Sequence, residues 1–238
     1  MNTKKIKLQI KKLAKEFDLK YNPKWFNYMW ISKREEILTE YIGDCPDPIY
    51  IKYGRTINER IKNIDKFVNS KDFKKCIKRY GGQVTHKKNW KKEEKLFKKI
   101  KNIELRIELL RLHDKIKQRF EKIDCLALMT KTKIKKEYDW LMKYCLRHEW
   151  IHILLNKNKI HFQDINKKYW PYDEGLNEYL AMFLEKKLHR LEEFRKKEKY
   201  PMEHKNWVYA IKFRSLLKNA KTPKERKQEI LNLMKRLK

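Results

Sequence analysis

The sequence predicts an α+β fold that is mainly helical and carries a small sheet. Only 5 glycines and 6 prolines occur among the 238 residues, whereas sandwiches and barrels need many turns built from these residues. Apolar residues recur at steps of three and four in most segments, which is typical of amphipathic helices. Two short apolar runs, at 49–53 and 125–129, lack that spacing and predict strands.

The composition indicates a folded and strongly basic chain. Hydrophobic residues make up 41% of it, so the chain has the core-forming side chains that disordered proteins lack. The formal net charge of +31 predicts attraction to polyanions such as nucleic acids. The lysines are spread over every segment, whereas functional basic patches are usually clustered, and this favours a compositional bias.

The cysteines and the N-terminus predict a cytoplasmic protein. Cys45, Cys76, Cys125 and Cys145 are far apart and form no C-x-x-C pair, so a structural zinc knuckle is not expected. An even number of cysteines allows a disulfide, but without a secretory signal we expect reduced, buried thiols. No apolar run approaches the roughly 18 residues that span a bilayer, so we expect no membrane partner.

The first part of the chain is predicted to be helical around one strand. Residues 3–18 form an amphipathic helix, and residues 20–32 are rich in aromatic side chains that suit a packing surface. Shorter elements follow in order: a strand at 49–53, helices at 57–67 and 73–80, and a turn at Gly81-Gly82.

A single long helix is predicted from about 89 to 121. Its apolar residues form two adjacent stripes: Leu96, Ile100, Ile103, Ile107 and Leu110, and then Leu105, Leu109, Leu112 and Ile116. Two stripes make a wide apolar face, which favours burial in a bundle, although a coiled-coil dimer is an alternative. The strand at 125–129 ends this half of the chain.

Four helices are predicted in the C-terminal part. The first spans about 134–156 and places the following residues on one face: Tyr138, Leu141, Met142, Cys145, His148, Glu149, His152 and Leu155. A polar connection occupies 157–172. Asp173 is the expected N-cap of a helix to about 197, and two further helices fit 203–218 and 223–236.

The strongest chemical signal is the H-E-x-x-H pattern of His148, Glu149 and His152. On a helix, two histidines four residues apart lie on one face, one turn apart, where both imidazoles can bind one metal ion. Zinc lowers the pKa of a bound water to about 7. From its place beside the first histidine, the Glu149 carboxylate can accept the proton of that water without binding the metal. A helix with two exposed histidines is the alternative.

The third ligand is indicated by a downstream segment, Asp173-Glu174-Gly175-Leu176-Asn177-Glu178. Position 158, where metzincins carry a third histidine, is Asn158. The segment resembles the glutamate helix of the gluzincins, the thermolysin-like zinc peptidases, and the chain is similar in scale to the minigluzincins. The resemblance covers about 130–200 and implies Glu174 as the third zinc ligand.

Two departures from the gluzincin pattern leave other ligands open. The 21 residues between His152 and Glu174 are slightly more than is usual in that clan, and Asn177 replaces a small residue. Glu178 or Asp173 is therefore an alternative ligand. The resemblance otherwise implies that Glu178 orients the imidazole of His148 or His152.

The same resemblance implies further parts of a peptidase site. A tyrosine or histidine would donate to the oxyanion of the reaction, and the candidates near in sequence are Tyr169, Tyr172, Tyr179 and His189. A sheet edge would bind the substrate as an added strand, and residues 125–130 are expected to supply that edge.

Taken together, these patterns predict a metallopeptidase with one zinc ion per chain and a peptide or protein substrate. The predicted organisation is a helical region at 1–122, a zincin-like catalytic core with a small sheet at 123–200, and C-terminal helices at 201–238. His148, His152 and Glu174 bind the metal, Glu149 is the general base, and Glu178 supports a ligand. The alternatives are a basic nucleic-acid-binding protein, including a protease that acts on nucleic-acid-bound proteins, and a non-catalytic helical interaction protein. The oligomeric state stays open.

Overall fold

Helices form most of the chain, and three short strands form one sheet, which confirms the α+β, mainly helical class. The computed structural model describes residues 3–43, 48–78, 82–198 and 201–238. These residues form two units. We call Lys24–Leu146 the sheet unit, and Met1–Pro23 together with Arg147–Lys238 the helical unit. The predicted segments 1–122, 123–200 and 201–238 are contiguous, whereas these units group residues by proximity, and the segments stay a prediction.

The helices and strands follow the chain in a fixed order. The strands are β1 (Tyr28–Ile31), β2 (Gly82–His86) and β3 (Cys125–Thr130). The α-helices are α1 (Thr3–Glu16), α2 (Lys33–Ile42), α3 (Pro48–Ile51), α4 (Ile57–Lys62), α5 (Ile64–Val68), α6 (Lys71–Ile77), α7 (Lys87–Phe97), α8 (Ile103–Phe120), α9 (Lys135–Trp140), α10 (Leu146–Lys157), α11 (Trp170–Leu184), α12 (Leu191–Lys197), α13 (Pro201–Leu216) and α14 (Pro223–Arg236). A π-helical turn occupies Leu141–Cys145, and 3₁₀ turns occupy Pro23–Trp25, Phe162–Asp164, Lys167–Tyr169 and Leu188–Arg190.

The sheet has the strand order β1-β3-β2. β1 runs parallel to β3 with Tyr28 opposite Ala127, and β2 runs antiparallel to β3 with Val84 opposite the same residue. Every residue of β3 is buried, as expected for an apolar strand with neighbours on both sides. The strand predicted at 125–129 is therefore confirmed, but its predicted place at a sheet edge is wrong.

Capping signals in the sequence begin several helices. The Ser32 side chain accepts a hydrogen bond from the Glu35 backbone N–H, and the Glu35 carboxylate accepts one from the Ser32 backbone N–H, which forms a capping box at α2. Thr222 and Glu225 form the same box at α14, where Pro223 occupies the first helical turn. These local signals explain why the predicted helix at 223–236 is confirmed to the residue.

The core of the sheet unit lies between its helices and one face of the sheet. Leu126 and Leu128 of β3 belong to one buried cluster with Leu109, Leu112 and Ile116 of α8. These α8 residues belong to the second of the two predicted stripes, and all four members of that stripe are buried. In the first stripe, Ile103 and Ile107 are exposed, so the wide apolar face predicted for one helix is only half buried.

The single helix predicted at 89–121 is wrong, because the chain forms α7 and α8 with a break between them. Asn102 ends the break by accepting a hydrogen bond from the Leu105 backbone N–H, which makes Asn102 the N-cap of α8. Ile100 is nevertheless buried within the break. The apolar spacing continues across the break, so periodicity alone could not reveal it.

The strand predicted at 49–53 is also wrong, because Pro48–Ile51 is a short helix. Pro48 begins it, a position where the missing N–H costs no hydrogen bond, and its carbonyl accepts from the Lys52 N–H at 3.2 Å. Tyr50 is buried and donates to Glu40 Oε2 at 2.8 Å. Two strands went unpredicted: β1 lies in the aromatic segment 20–32, and β2 begins at Gly82, where a turn was expected.

The helical unit contains α1 and the helices from Arg147 onward. Phe17, just after α1, packs edge-on against Phe183 and Tyr179 of α11 with ring centroids 5.2 and 6.4 Å apart. The predicted helices at 3–18, 134–156 and 203–218 are confirmed with small shifts in their ends. The helix predicted from Asp173 to 197 is wrong in both limits, because α11 begins at Trp170 and ends at Leu184.

Two further sequence predictions concern the cysteines and the absence of a membrane span. Among Cys76, Cys125 and Cys145 no disulfide forms, and Cys45 lies outside the described residues. None of the described helices combines the length and apolar character that a membrane span requires.

Candidate metal centre

The two histidines of the H-E-x-x-H pattern lie on one face of α10. Their ring centroids are 4.9 Å apart, and His148 Nε2 lies 3.2 Å from His152 Nε2. The four-residue spacing on a helix produces this arrangement, as expected. The helix is fixed by its other faces, where Trp150, Ile153 and Leu154 are fully buried.

Glu174 of α11 is the third member of this group. Its Oε2 lies 3.3 Å from His148 Nε2, and its Oε1 lies 3.3 Å from His152 Nε2. One ligand atom from each of the three residues lies within 4.8 Å of the others. Among the described residues, these three side chains form the one group of three or more histidine, cysteine or acidic residues that could hold a metal ion.

The separations within this group fit a tetrahedral zinc ion. Bonds of about 2.0–2.1 Å from zinc to nitrogen or oxygen place neighbouring tetrahedral ligands roughly 3.3 Å apart. The two Nε2 atoms are 3.2 Å apart, and each is 3.3 Å from a different carboxylate oxygen of Glu174. Two imidazoles and one carboxylate are also the donor set of catalytic zinc sites that keep a fourth position open. The residues present therefore fit zinc in both donor type and spacing.

Glu178 lies one helical turn beyond Glu174 and faces His148. Its Oε1 is 3.5 Å from His148 Nδ1. A carboxylate on that side favours a proton on Nδ1, so a metal ion would bind the ring at Nε2. The sequence left open which histidine Glu178 contacts, and the geometry identifies His148.

Glu149 is buried beside the histidines without being one of the three grouped ligand residues. Burial, the largest influence, raises its pKa above the usual value for glutamate, and the two histidines offset part of that rise. A carboxylate with a raised pKa is a better proton acceptor near neutral pH than an ordinary one.

The electrostatics of the group favour a bound cation. Burial by itself lowers the pKa of His148, but the hydrogen bond to Glu174 and the charges of the neighbouring glutamates outweigh it and raise the pKa to about 10. Burial raises the pKa of Glu174, yet the two imidazoles together hold it well below its usual range. The carboxylates thus stabilise positive charge at the imidazoles. A divalent cation bound there would supply positive charge in place of the protons.

Asp173 holds the connection that precedes α11. Its carboxylate accepts hydrogen bonds from the backbone N–H groups of Phe162 and Gln163 at 2.7 and 3.0 Å. The predicted role of Asp173 as N-cap is therefore wrong, because the helix begins three residues earlier and the carboxylate points to the connection. These bonds set the position of α11 immediately beside Glu174.

Gly175 allows α13 to pack directly against α11. A Cβ atom on residue 175 would lie 2.3 Å from Tyr209 Cβ and 2.9 Å from the Tyr209 backbone carbon. No side chain fits such a gap, so the glycine sets the distance between the two helices. The helix that carries Glu174 is consequently held on one side by Asp173 and on another by α13.

Asn158, which occupies the position of the third metzincin histidine, makes hydrogen bonds to the backbone. The Asn158 side chain accepts from the Lys20 N–H at 2.8 Å and donates to the carbonyls of Lys20 and Leu154. Asn158 therefore ties the end of α10 to the segment after α1.

The tyrosines considered as oxyanion donors pack against other aromatic rings. Tyr179 is buried against Phe17, and Tyr172 contacts Phe162 and Tyr209. Tyr169 packs edge-on against Tyr172. His189 is exposed beyond the end of α11. An oxyanion role for any of the four stays a prediction.

Comparisons with protein-family models, with curated proteins and with solved structures found no match to this chain. The resemblance to the gluzincins therefore rests on the motif residues and on the geometry described above.

Proposed function

We propose that this protein is a zinc-dependent peptidase of gluzincin type. The observation that carries the proposal is that the Nε2 atoms of His148 and His152 lie 3.2 Å apart and that each lies 3.3 Å from one of the two carboxylate oxygens of Glu174. That spacing matches the edges of a zinc coordination tetrahedron. The same three residues are the metal ligands that the sequence predicts.

Each residue of the group has a distinct task in this proposal. His148, His152 and Glu174 hold the ion, and Glu178 orients the His148 ring. Zinc bound there would acidify a water molecule and polarise the substrate carbonyl. Glu149 accepts the proton of the attacking water and later delivers it to the leaving amine, a role that its raised pKa suits.

The side chains of the three grouped residues are partly exposed. The side chains of His148 and His152 are 21% and 18% exposed, and that of Glu174 is 15% exposed. Partial exposure distinguishes them from a sealed structural zinc site, in which protein side chains fill all four positions. The exposure therefore supports catalysis over a purely structural role.

Hydrolysis of a peptide library by the zinc-loaded protein tests the proposal. The Glu149→Gln variant keeps the three ligands, so we expect it to bind zinc as the wild type does. Its cleavage rate should fall by about 10²–10⁴-fold, the contribution typical of a general base. Glu192→Gln, an exposed acid on α12 that pairs with Arg195, is the matched control and should cleave normally. Equal rates for the wild type and Glu149→Gln would refute the proposal.

A further inference from the structure

Asn177 is a buried amide placed between Glu174 and Glu178 on α11. Its side chain is fully buried. Its Nδ2 donates a hydrogen bond of 3.0 Å to the backbone carbonyl of His148. The amide therefore links the helix of the carboxylate ligand directly to the backbone of the first histidine.

The carbonyl that accepts this bond belongs to the turn of α10 between the two histidines. In a regular α-helix, the carbonyl of residue 148 also accepts the N–H of residue 152. One carbonyl thus joins the backbone turn that spaces His148 from His152 to a side chain of α11. Asn177 itself lies three residues after Glu174, on a neighbouring part of the same helical face.

The amide is an unfavourable choice for packing alone. Its Oδ1 is buried and has no hydrogen-bond partner among the described residues. Burying such an oxygen disfavours folding, whereas the neighbouring buried positions Leu176 and Leu180 are filled by apolar side chains. An apolar side chain would avoid this cost, but it could not fix the position of α11 along α10.

We propose that Asn177 is a positioning residue that holds Glu174 in register with the two histidines. The inference rests on the proposed metal site. A shift of α11 along α10 by one residue corresponds to about 1.5 Å, and metal–ligand distances tolerate only about ±0.2 Å. The hydrogen bond from Asn177 to His148 fixes this register at the level of the ligands.

The test compares wild type with Asn177→Leu, which has a similar volume and no donor. Zinc affinity is measured by competition with a chromophoric chelator, and the absorption spectrum of the Co²⁺-loaded protein reports ligand geometry. Urea unfolding of the metal-free protein reports stability. We expect stability equal to or above that of the wild type, a zinc Kd raised about 10–100-fold, and an altered Co²⁺ spectrum. A residue with a merely structural role would change the unfolding curve and leave both metal readouts unaltered.

Controls keep this test separate from that of the proposed function. Leu176→Met, a swap that conserves volume on the same helix, should keep the wild-type Kd and spectrum. If Asn177→Leu does not fold, Asn177→Ala removes the same donor and is judged by the same metal readouts. A variant with the wild-type Kd and Co²⁺ spectrum would overturn the role of Asn177 alone. A wild-type protein that binds no zinc would overturn the proposed function and this inference together.

Discussion

In the helical unit, Glu149, Glu174 and Glu178 lie largely buried around two imidazoles. In the sheet unit, burial is the influence that shifts the pKa of Glu93 in α7. The Oε2 atom of Glu93 is buried without a hydrogen-bond partner among the described residues, and burial raises its pKa to about 7. Glu174 shows the opposite shift, because the imidazoles outweigh burial and lower its pKa.

The difference indicates what would make buried acids into a cation site. Burial alone drives a carboxylate to take up a proton. Groups that carry positive charge oppose that uptake and outweigh burial at Glu174, and several carboxylates around two imidazoles would attract a cation. Burial is common to both regions, so the arrangement of partners distinguishes the proposed metal site from an isolated buried acid. Substitutions in the two regions should therefore have different consequences.

The largest effect is expected from Glu174→Gln. This change keeps the shape of the side chain and removes the charge that would bind the metal. We expect the zinc Kd to rise by more than about 100-fold, beyond the range typical of residues that only support a ligand. Chelator competition measures the Kd, with Glu192→Gln as the control. Wild-type affinity in Glu174→Gln would mean that another acid supplies the third ligand.

A smaller loss of affinity is expected from Glu178→Gln. The amide retains an oxygen near His148 Nδ1 but loses the charge that supports the imidazole. We expect the zinc Kd to rise by about 10–100-fold, with the stoichiometry unchanged. The same competition assay measures this Kd. A loss comparable to that of Glu174→Gln would instead indicate direct binding by Glu178.

Asp173→Asn tests an acid whose partners are backbone N–H groups. Asparagine keeps one acceptor for Phe162 or Gln163 and turns a donor toward the other N–H. We expect the free energy of unfolding to fall by about 1–2 kcal/mol, as for a buried hydrogen bond left unpaired. Urea unfolding of the metal-free protein measures it. Asp164→Asn, which changes an exposed carboxylate, should unfold like the wild type, and an equally stable Asp173→Asn would contradict the described role.

The smallest effect is expected from Glu93→Gln, and it should depend on pH. The usual pKa of 4.5 applies to the unfolded chain, and the pKa rises to about 7 on folding. The folded state therefore binds the proton more tightly than the unfolded chain. The free energy of unfolding of the wild type falls as pH rises between these two values and stays constant above them. The variant cannot ionise at this position, and we expect it to be more stable than the wild type by about 1 kcal/mol at pH 8, after allowance for solvent screening.

Urea unfolding at pH 5 and pH 8 measures the Glu93→Gln effect. At pH 5 the two proteins should be similar in stability, and the difference should appear only at the higher pH. A difference of the same size at both values would show that Glu93 does not titrate in this interval, and the contrast with Glu174 would lose its basis.

The parts of the fold that could be predicted are those fixed by local sequence. The stripe of α1, the capping box at Thr222 and the apolar run of β3 specify their elements without distant partners. β1 was missed because Tyr28–Ile31 pairs with residues about a hundred positions later in the chain. The break before Asn102 was missed because the apolar spacing continues across it.

The candidate site divides in the same way. Helical spacing alone predicted that His148 and His152 share a face, and the resemblance to the gluzincins identified Glu174. The tasks of Asp173 and Asn177 depend on which backbone groups approach them from other elements. No spacing in the sequence encodes those contacts.

The most direct test is the zinc content of the purified protein after dialysis against metal-free buffer. We expect about one zinc per chain in the wild type, none in His148→Ala, and the wild-type value in His189→Ala, a histidine outside the group. Equal zinc in His148→Ala and the wild type, or none in the wild type, would contradict the proposal that His148, His152 and Glu174 form a zinc site.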